Sequence, residues 1–282
     1  MSVRIIVDST ADLSARIKDK VTVVPLTLRF GDEEYIDGVT ITKTEFYEKL
    51  IESDVMPTTS QANVDSFDSV FSEIVENGDT AVVITVSSKL SGTCNSARIA
   101  AWEHPSKIFV VDSQSVSIGI GVLAEAALEL ALDGCTAEYI ADYLNEEKKR
   151  VHLIAMFDTL EYLQKGGRIS KTVAIAGGLL SIKPVVTLKE GEICILGKAR
   201  GSKQANNYLA SEITNAGGID FEKPLLLGYT GLSDITLKKY VEDSAHLYRD
   251  RLDSLEYTTI GSVVGTHAGP GAIGVAFWQN NI

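Results

Sequence analysis

Residues 81–88 read Ala-Val-Val-Ile-Thr-Val-Ser-Ser, and this stretch decides the fold class. Residues 81–86 form an almost unbroken apolar run, which is typical of a strand covered on both faces. Similar β-branched or apolar runs occupy residues 3–7 and 108–111, and helix-like patterns separate the three runs. Strands that alternate with helices predict βαβ units and a mostly parallel sheet. We therefore expect an N-terminal three-layer α/β domain, with a hairpin near residues 24–38.

The pattern changes after Arg150. Residues 185–188 and 193–196 predict an antiparallel hairpin whose turn is Lys189-Glu190-Gly191-Glu192. Further strands are expected at residues 151–157, 225–229 and 257–264, with helices near 204–213 and 237–247. We expect a C-terminal α+β domain with a mixed sheet. The predicted domains are residues 1–155 and 156–282, with the ligand site between them.

Composition excludes several classes of protein. The 282 residues include 26 basic and 38 acidic side chains, so the net charge of −12 argues against nucleic acid as the main partner. No apolar run reaches the ~18 residues of a membrane helix. The three cysteines and four histidines show no spacing typical of a disulfide framework or a metal site, and we expect neither a metal nor a cofactor. The N-terminus shows no signal-peptide pattern, so we expect a cytoplasmic protein.

Hydroxyl-rich turns follow three of the predicted strands. They are Asp8-Ser9, residues 87–93 with Ser91, Gly92 and Thr93, and Asp112-Ser113. In a parallel sheet the carboxyl ends of the strands face the ligand crevice, where free N–H groups suit an oxyanion. These turns therefore predict a polar binding site, although a hydroxyl residue before a helix is equally typical of a simple N-cap.

Two further segments carry candidate site residues. Thr59 and Ser60 lie in Pro57-Thr58-Thr59-Ser60-Gln61 before a predicted helix, where ordinary N-capping is the competing interpretation. His267 lies among four glycines in residues 265–274, where a ligand could reach it. The alternative for this segment is a tight turn with an incidental histidine.

A different class of function uses the same residues. Ser91 and His267, with Asp8 or Asp112, are the residue types of a hydrolase triad. The sequence lacks the Gly-x-Ser-x-Gly elbow of the α/β hydrolases. A serine esterase based on Ser91 and His267 therefore stays as the alternative function.

Positive charge is concentrated between residues 165 and 203. This segment holds eight basic and two acidic residues, a local balance of +6 that leaves −18 for the rest of the chain. A solvated face is the usual explanation of a charge run. Its concentration beside Gly166 and Gly167 favours contact with an acidic partner or a phosphate. The candidates for that contact are Lys165, Arg168, Lys171, Arg200 and Lys203.

Five motifs, in order and spacing, resemble the DegV family. They are Asp8-Ser9-Thr10-Ala11-Asp12, Thr59-Ser60-Gln61, Leu90-Ser91-Gly92-Thr93, Lys165-Gly166-Gly167-Arg168-Ile169 and Gly265-Thr266-His267-Ala268-Gly269-Pro270-Gly271. The resemblance spans residues 8 to 271. One departure is Ala62, where the family pattern has proline after Thr-Ser-Gln.

The resemblance implies a carrier for one long-chain fatty acid that is not itself an enzyme. It would present the acid to a separate ATP-dependent fatty acid kinase. We also expect a monomer that can make transient contact with a membrane. Thr59 and Ser91, with His267 nearby, would hold the carboxylate, and Arg168 and Lys165 would face the kinase or phosphate. We expect the tail to run under the small apolar residues 173–180.

Overall fold

The computed structural model describes residues 2–169 and 182–280. The strands of the first half are β1 (Val3–Asp8), β2 (Thr22–Val24), β3 (Thr27–Phe30), β4 (Glu33–Ile36), β5 (Thr58–Ser60), β6 (Thr80–Thr85) and β7 (Ile108–Asp112). Its helices are α1 (Lys43–Glu52), α2 (Val64–Glu76), α3 (Thr93–Ala101), α4 (Ile118–Leu132) and α5 (Ala137–Glu147).

The second half continues the alternation of strands and helices. Its strands are β8 (Val151–Met156), β9 (Ile182–Lys189), β10 (Glu192–Arg200), β11 (Leu226–Tyr229), β12 (Tyr257–Thr259) and β13 (Ile273–Trp278). Its helices are α6 (Glu161–Lys165), α7 (Ser202–Asn215), α8 (Ile235–Asp243), α9 (Ala245–Tyr248) and α10 (Ser262–Ala268), and short 3₁₀ turns occupy Lys148–Arg150 and Arg249–Ser254.

The first sheet is parallel and covered on both faces. Its strand order is β2-β1-β6-β7, and every neighbouring pair is parallel. Successive residues of β6 alternate between two cores: Val82 packs with residues of α4 and α5, whereas Val83 packs with residues of α2 and α3. This α/β/α sandwich confirms the fold class expected for the N-terminal half.

A small antiparallel sheet, β4-β3-β5, stands beside the parallel one. The sequence pattern suggests one strand over residues 21–30, but the structure has two, β2 and β3, which belong to different sheets. Pro25 separates them, since proline cannot donate a ladder hydrogen bond. The β3–β4 hairpin turns at Gly31, and α1 packs on this sheet through Phe46 and Tyr47.

The second sheet is mixed, as expected. Its order is β10-β9-β8-β13-β11-β12, with β11 and β12 parallel and the other pairs antiparallel. β8 belongs to this sheet, which therefore begins at Val151; the domain boundary near residue 155 stays a prediction. Helices α7 and α8 pack on one face, and α4 contacts β8, β11 and β13 as well as the parallel sheet.

One predicted strand is wrong in its second half. The sequence predicts a strand over residues 257–264, but β12 ends at Thr259 and α10 starts at Ser262. Gly261 lies at the N-cap of α10, and its N–H donates to a buried carboxylate oxygen of Asp12 at 2.7 Å. That contact with a distant segment ends the strand, and the local sequence does not contain it.

Candidate functional site

The three hydroxyl-rich turns lie at one edge of the parallel sheet, because β1, β6 and β7 are neighbours. Asp8 is fully buried there, and its carboxylate accepts hydrogen bonds from the N–H and hydroxyl of Thr10 and from the N–H of Val86. Burial raises the pKa of Asp8. Its hydrogen bonds tie the ends of β1 and β6 together, so Asp8 shapes the edge on which the site is built.

A pocket opens between this edge and the second half of the chain. Its empty volume, including the open mouth, is about 630 Å³. Apolar side chains line most of it: Leu26, Val86, Leu90, Val116, Phe157, Leu163, Ile193, Val263, Val264 and Ala268. The polar lining consists of Thr10, Thr59, Ser60, Gln61, Ser91, Arg168 and His267.

Thr59 and His267 form a hydrogen-bonded pair in this pocket. The Thr59 hydroxyl lies 2.9 Å from Nε2 of His267, although 208 positions separate the residues. Thr59 is on β5, held opposite Leu28 of β3, and His267 is in the last turn of α10. Burial, assisted by the charge of Arg168, lowers the pKa of His267 from 6.5 to about 4. The imidazole is therefore neutral at pH 7.

The other ring nitrogen of His267 faces Gly166. Nδ1 is buried without a hydrogen-bond partner among the described residues. A Cβ added to Gly166 would lie only 2.1 Å from it. Glycine at this position therefore gives the imidazole its place, and it explains why the Lys165-Gly166-Gly167-Arg168 motif and the histidine motif belong to one site.

The Ser91-Gly92-Thr93 turn contributes one hydroxyl to the pocket. Ser91 lines the pocket, and its Oγ lies 2.9 Å from Oγ1 of Thr93. Thr93 is buried behind it and accepts a hydrogen bond from the N–H of Ala62. Gly92 also lies outside the lining; a Cβ there would overlap Oε1 of Gln61. Gly92 and Thr93 therefore support Ser91 and fix the Gln61–Ala62 segment.

Arg168 lies in the pocket lining, whereas the sequence suggested a surface that faces a partner. Its guanidinium donates from Nε to the Leu90 carbonyl, next to Ser91, and from an Nη to the Gly166 carbonyl. Burial lowers its pKa, but an arginine remains charged at pH 7. Among the described residues no carboxylate pairs with it. The guanidinium of Arg168 therefore lies between the segment of Ser91 and the Gly166 turn that packs against His267.

The other basic candidates are more exposed. Lys165 is exposed and pairs with Glu161 at 2.6 Å. Arg200 and Lys203 are exposed and do not line the pocket. Lys171 lies outside the described residues, as does the predicted tail segment 173–180. Since Lys183 also pairs with an acid outside the basic segment, Asp158, the surplus of positive charge is partly neutralised in the fold.

A hydrolase triad is not assembled among the described residues. The Ser91 hydroxyl is bonded to Thr93, and His267 is bonded to Thr59. Asp112 accepts from the backbone N–H groups of Ser88 and Gln114. Because Nδ1 of His267 has no carboxylate partner there, nothing orients the ring as a general base in the manner of a triad.

Within residues 2–169 and 182–280 no group of three or more His, Cys, Asp or Glu side chains could hold a metal ion. In the same part of the chain, no helix combines the length and apolar character needed to cross a membrane.

Sequence reasoning missed most of the apolar lining. Phe157 follows β8, Leu163 is on α6 and Ile193 is on β10, and each looks like an ordinary core residue in the sequence. The nearest signal was position: Leu163 precedes the glycine motif that carries Arg168, and Val263 and Val264 precede His267.

The described residues define an α/β protein of three sheets, with a largely apolar pocket whose polar groups meet around one histidine. The chain belongs to the DegV family: the family described as "uncharacterised protein, DegV family" matches it over residues 2–280.

Known relatives cover nearly the whole chain. A DegV domain-containing protein of Caldanaerobacter subterraneus is 35% identical over 280 residues, 98% of each sequence. A fatty-acid-binding DegV family protein from Thermus thermophilus superposes with a TM-score of 0.87 at 31% identity, over 99% of this chain and 100% of its own. A stearic-acid-binding protein from Eubacterium ventriosum gives a TM-score of 0.83 at 28% identity, over 98% and 97%.

Proposed function

We propose that this chain binds one long-chain fatty acid, with the carboxylate beside Thr59, Ser91, His267 and Arg168 and the tail among the apolar lining. The observation that carries the proposal is the hydrogen-bonded Thr59–His267 pair beside an arginine without a carboxylate partner among the described residues, in an otherwise apolar pocket. The fatty acids bound by the Thermus and Eubacterium relatives support it.

The hydrogen-bond pattern suits an anionic head group. A neutral imidazole carries its proton on one nitrogen only. We assign that proton to Nε2, because Nδ1 packs against Gly166 and has no acceptor among the described residues. His267 then donates to Oγ1 of Thr59, which leaves the threonine O–H free to donate to a carboxylate. Arg168 supplies the positive charge that a half-buried carboxylate needs.

The apolar lining suits the tail. Each buried CH₂ group contributes about 0.8 kcal/mol, so a chain of many methylenes provides most of the binding free energy. The polar cluster fixes the orientation of the acid. A hydrophobic ligand without a carboxylate would not make these contacts with the polar cluster.

We further propose that the chain is a carrier subunit and that catalysis resides in a separate ATP-dependent fatty acid kinase. A carboxylate oxygen of the bound acid would attack the terminal phosphorus of ATP, with ADP as the leaving group and an acyl phosphate as the product. Exposed Arg200 and Lys203, together with Lys165 and Lys171, are the residues proposed to face the kinase. Arg168 would contact both the carboxylate and the incoming phosphate.

Organic extraction of the purified chain followed by mass spectrometry tests the binding proposal. We expect one long-chain fatty acid per chain. An extract without fatty acid, from protein that also fails to bind added stearate, would contradict the proposal.

For the kinase partner, Arg200→Ala and Lys203→Ala should slow phosphorylation of the bound acid and leave stearate affinity unchanged. Equal losses in the rate of phosphorylation and in stearate affinity would contradict the proposed kinase-facing surface.

A further inference from the structure

The segment that joins β12 to α10 determines where His267 lies. Ile260 and Gly261, hereafter the connector, lead directly into α10. This helix supplies Val263, Val264, His267 and Ala268 to the pocket lining. A shift of the connector therefore moves the imidazole relative to Thr59, which lies on a separate sheet.

Side chains from the first half of the chain hold the connector through its backbone. The N–H of Gly261 donates to Oδ1 of Asp12 at 2.7 Å. The hydroxyl of Tyr47 donates to the carbonyl of Ile260 at 3.0 Å. Lys43 donates to the carbonyl of Thr259, the last residue of β12. Three consecutive residues, Thr259, Ile260 and Gly261, are thus held by side chains of the first half of the chain.

Asp12 is the centre of this arrangement. It is 1% exposed, and it accepts from the hydroxyl of Ser117 at Oδ2 and from Nζ of Lys43 at Oδ1, both at 2.8 Å. A buried carboxylate is stable only when it is paired and hydrogen-bonded. Lys43 supplies the charge partner, so its removal would leave a buried anion at the connector.

The helix that carries Lys43 contacts both sides of the Thr59–His267 pair. α1 packs against the small sheet of β3, β4 and β5, which includes Thr59. It also lies tightly against α10, because a Cβ on Gly265 would approach the Tyr47 hydroxyl at 2.6 Å. The ammonium of Lys43 therefore links the sheet of Thr59 to the entrance of the helix of His267.

We infer that Lys43, acting through Asp12 and the connector, is a positioning residue that holds the His267 imidazole in hydrogen-bonding register with Thr59. The expected effect of Lys43 on fatty-acid affinity rests on the proposed function. The expected effect of Lys43 on the position of His267 applies to the ligand-free protein and does not depend on that function.

Two substitutions on one helix test it. Lys43→Met keeps the length of the side chain and removes the ammonium. Lys49→Met is the matched control, since Lys49 lies on the same helix and pairs with Glu33 on the surface, away from the connector. Lys43→Arg is the conservative variant, because a guanidinium can donate to both the carboxylate and the carbonyl.

Three quantities should be measured on each delipidated variant: stearate affinity, the imidazole nitrogen resonances of His267 at pH 7 without ligand, and the midpoint of urea unfolding. We expect Lys43→Met to weaken stearate binding about tenfold and to move the His267 resonances toward those of a tautomer mixture. Lys43→Arg should restore most of both, and Lys49→Met should change neither.

Unchanged affinity and unchanged His267 resonances in Lys43→Met, with only a lower unfolding midpoint, would reduce Lys43 to a structural residue and overturn the inference. If the wild-type chain binds no stearate, the proposed function fails. The resonances of the ligand-free variants still decide the positioning role in that case.

Discussion

His267 is a neutral, partly buried base, and this makes the stability of the protein sensitive to acid. Its folded pKa of about 4 lies below the usual 6.5, so the unfolded chain binds the proton more tightly. The stabilising contribution is therefore complete above pH 6.5 and is lost as the pH falls toward 4. At ~1.4 kcal/mol for each tenfold change, it amounts to about 3 kcal/mol.

Urea unfolding of the delipidated protein at pH 7 and pH 4.5 checks this prediction. Between the two pH values the wild type should lose about 2 kcal/mol more stability than His267→Gln. Comparing the two proteins removes the contribution of carboxyl groups that titrate in the same range. His246→Gln, in an exposed part of α9, should behave like the wild type. Equal losses in the wild type and His267→Gln would contradict a neutral His267.

Alanine substitutions at Gly166 and Gly167 test two different effects: a shift of His267 and a loss of stability in the turn. Gly166→Ala should weaken stearate binding about tenfold, because its Cβ would lie 2.1 Å from Nδ1 of His267 while its φ of −72° suits alanine. At Gly167 no atom of the described residues lies within 4 Å of an added Cβ, but φ is +72°. Gly167→Ala should therefore cost about 1 kcal/mol of stability and leave affinity unchanged. Calorimetric titration and urea unfolding measure the two effects. Weaker binding in Gly167→Ala alone would contradict this assignment.

At the scale of single residues, the sequence identified the polar groups but not their contacts. Thr59 and Ser91 stand out because they lie in hydroxyl-rich segments, and His267 stands out because glycines flank it. The Thr59–His267 bond joins residues 208 positions apart, and no local pattern encodes such a distance. The sequence also identifies Arg168 as a candidate, but its half-buried place in the pocket depends on its hydrogen bonds to the Leu90 and Gly166 carbonyls.

Among the secondary-structure elements, the β9–β10 hairpin closes one side of the site. Its turn, at Glu190 and Gly191, docks on the end of β6, where the Ser87 hydroxyl donates to the Gly191 carbonyl at 2.8 Å. Ile193, two residues further, lines the pocket. The sequence predicted the hairpin, but the docking of its turn on the other half of the chain appears only in the structure.

Gly191→Ala tests that docking. A Cβ at this residue would lie 2.3 Å from the Ser87 hydroxyl, and the φ of +83° disfavours alanine. We expect a loss of about 2–4 kcal/mol in the free energy of unfolding. Gly31→Ala is the control, since Gly31 also turns a hairpin with positive φ but has open space around it; it should cost about 1 kcal/mol. Similar losses for both variants in urea unfolding would show that the hairpin tip is not tightly docked.

Element boundaries followed local chemistry where local chemistry was sufficient. The Thr42–Glu45 capping box predicts the start of α1, and both of its hydrogen bonds are present. The strand prediction over residues 257–264 is wrong in its second half because Val263 and Val264 favour strands. In the structure, Gly261 contacts Asp12 and a helix starts there. Tertiary contacts override propensity at that point.

On the scale of the whole molecule, α4 joins the two halves. It contacts the parallel sheet on one side and β8, β11 and β13 on the other, which explains why its first ten residues, Ile118–Ala127, are all buried. The pocket lies where these halves meet, so a ligand in it contacts both. Binding should therefore stabilise the whole fold.

Thermal unfolding of the delipidated protein measures this stabilisation. Stearate at about 100 times its dissociation constant adds about 2.7 kcal/mol, which should raise the Tm by on the order of 5 °C. Arg168→Met should show a smaller rise at the same stearate concentration, because its affinity is lower. A wild-type Tm that does not respond to stearate would contradict a ligand site shared by the two halves.

Recognition of a carboxylate at the Thr59–His267 site is the central claim, and one comparison tests it most directly. Calorimetric titration of the delipidated chain should give one stearate site and an affinity at least tenfold weaker for 1-octadecanol, which has the same tail without the carboxylate charge. Arg168→Met should remove most of that difference. Equal affinities of the wild type for the acid and the alcohol, or no binding of either, would contradict the account.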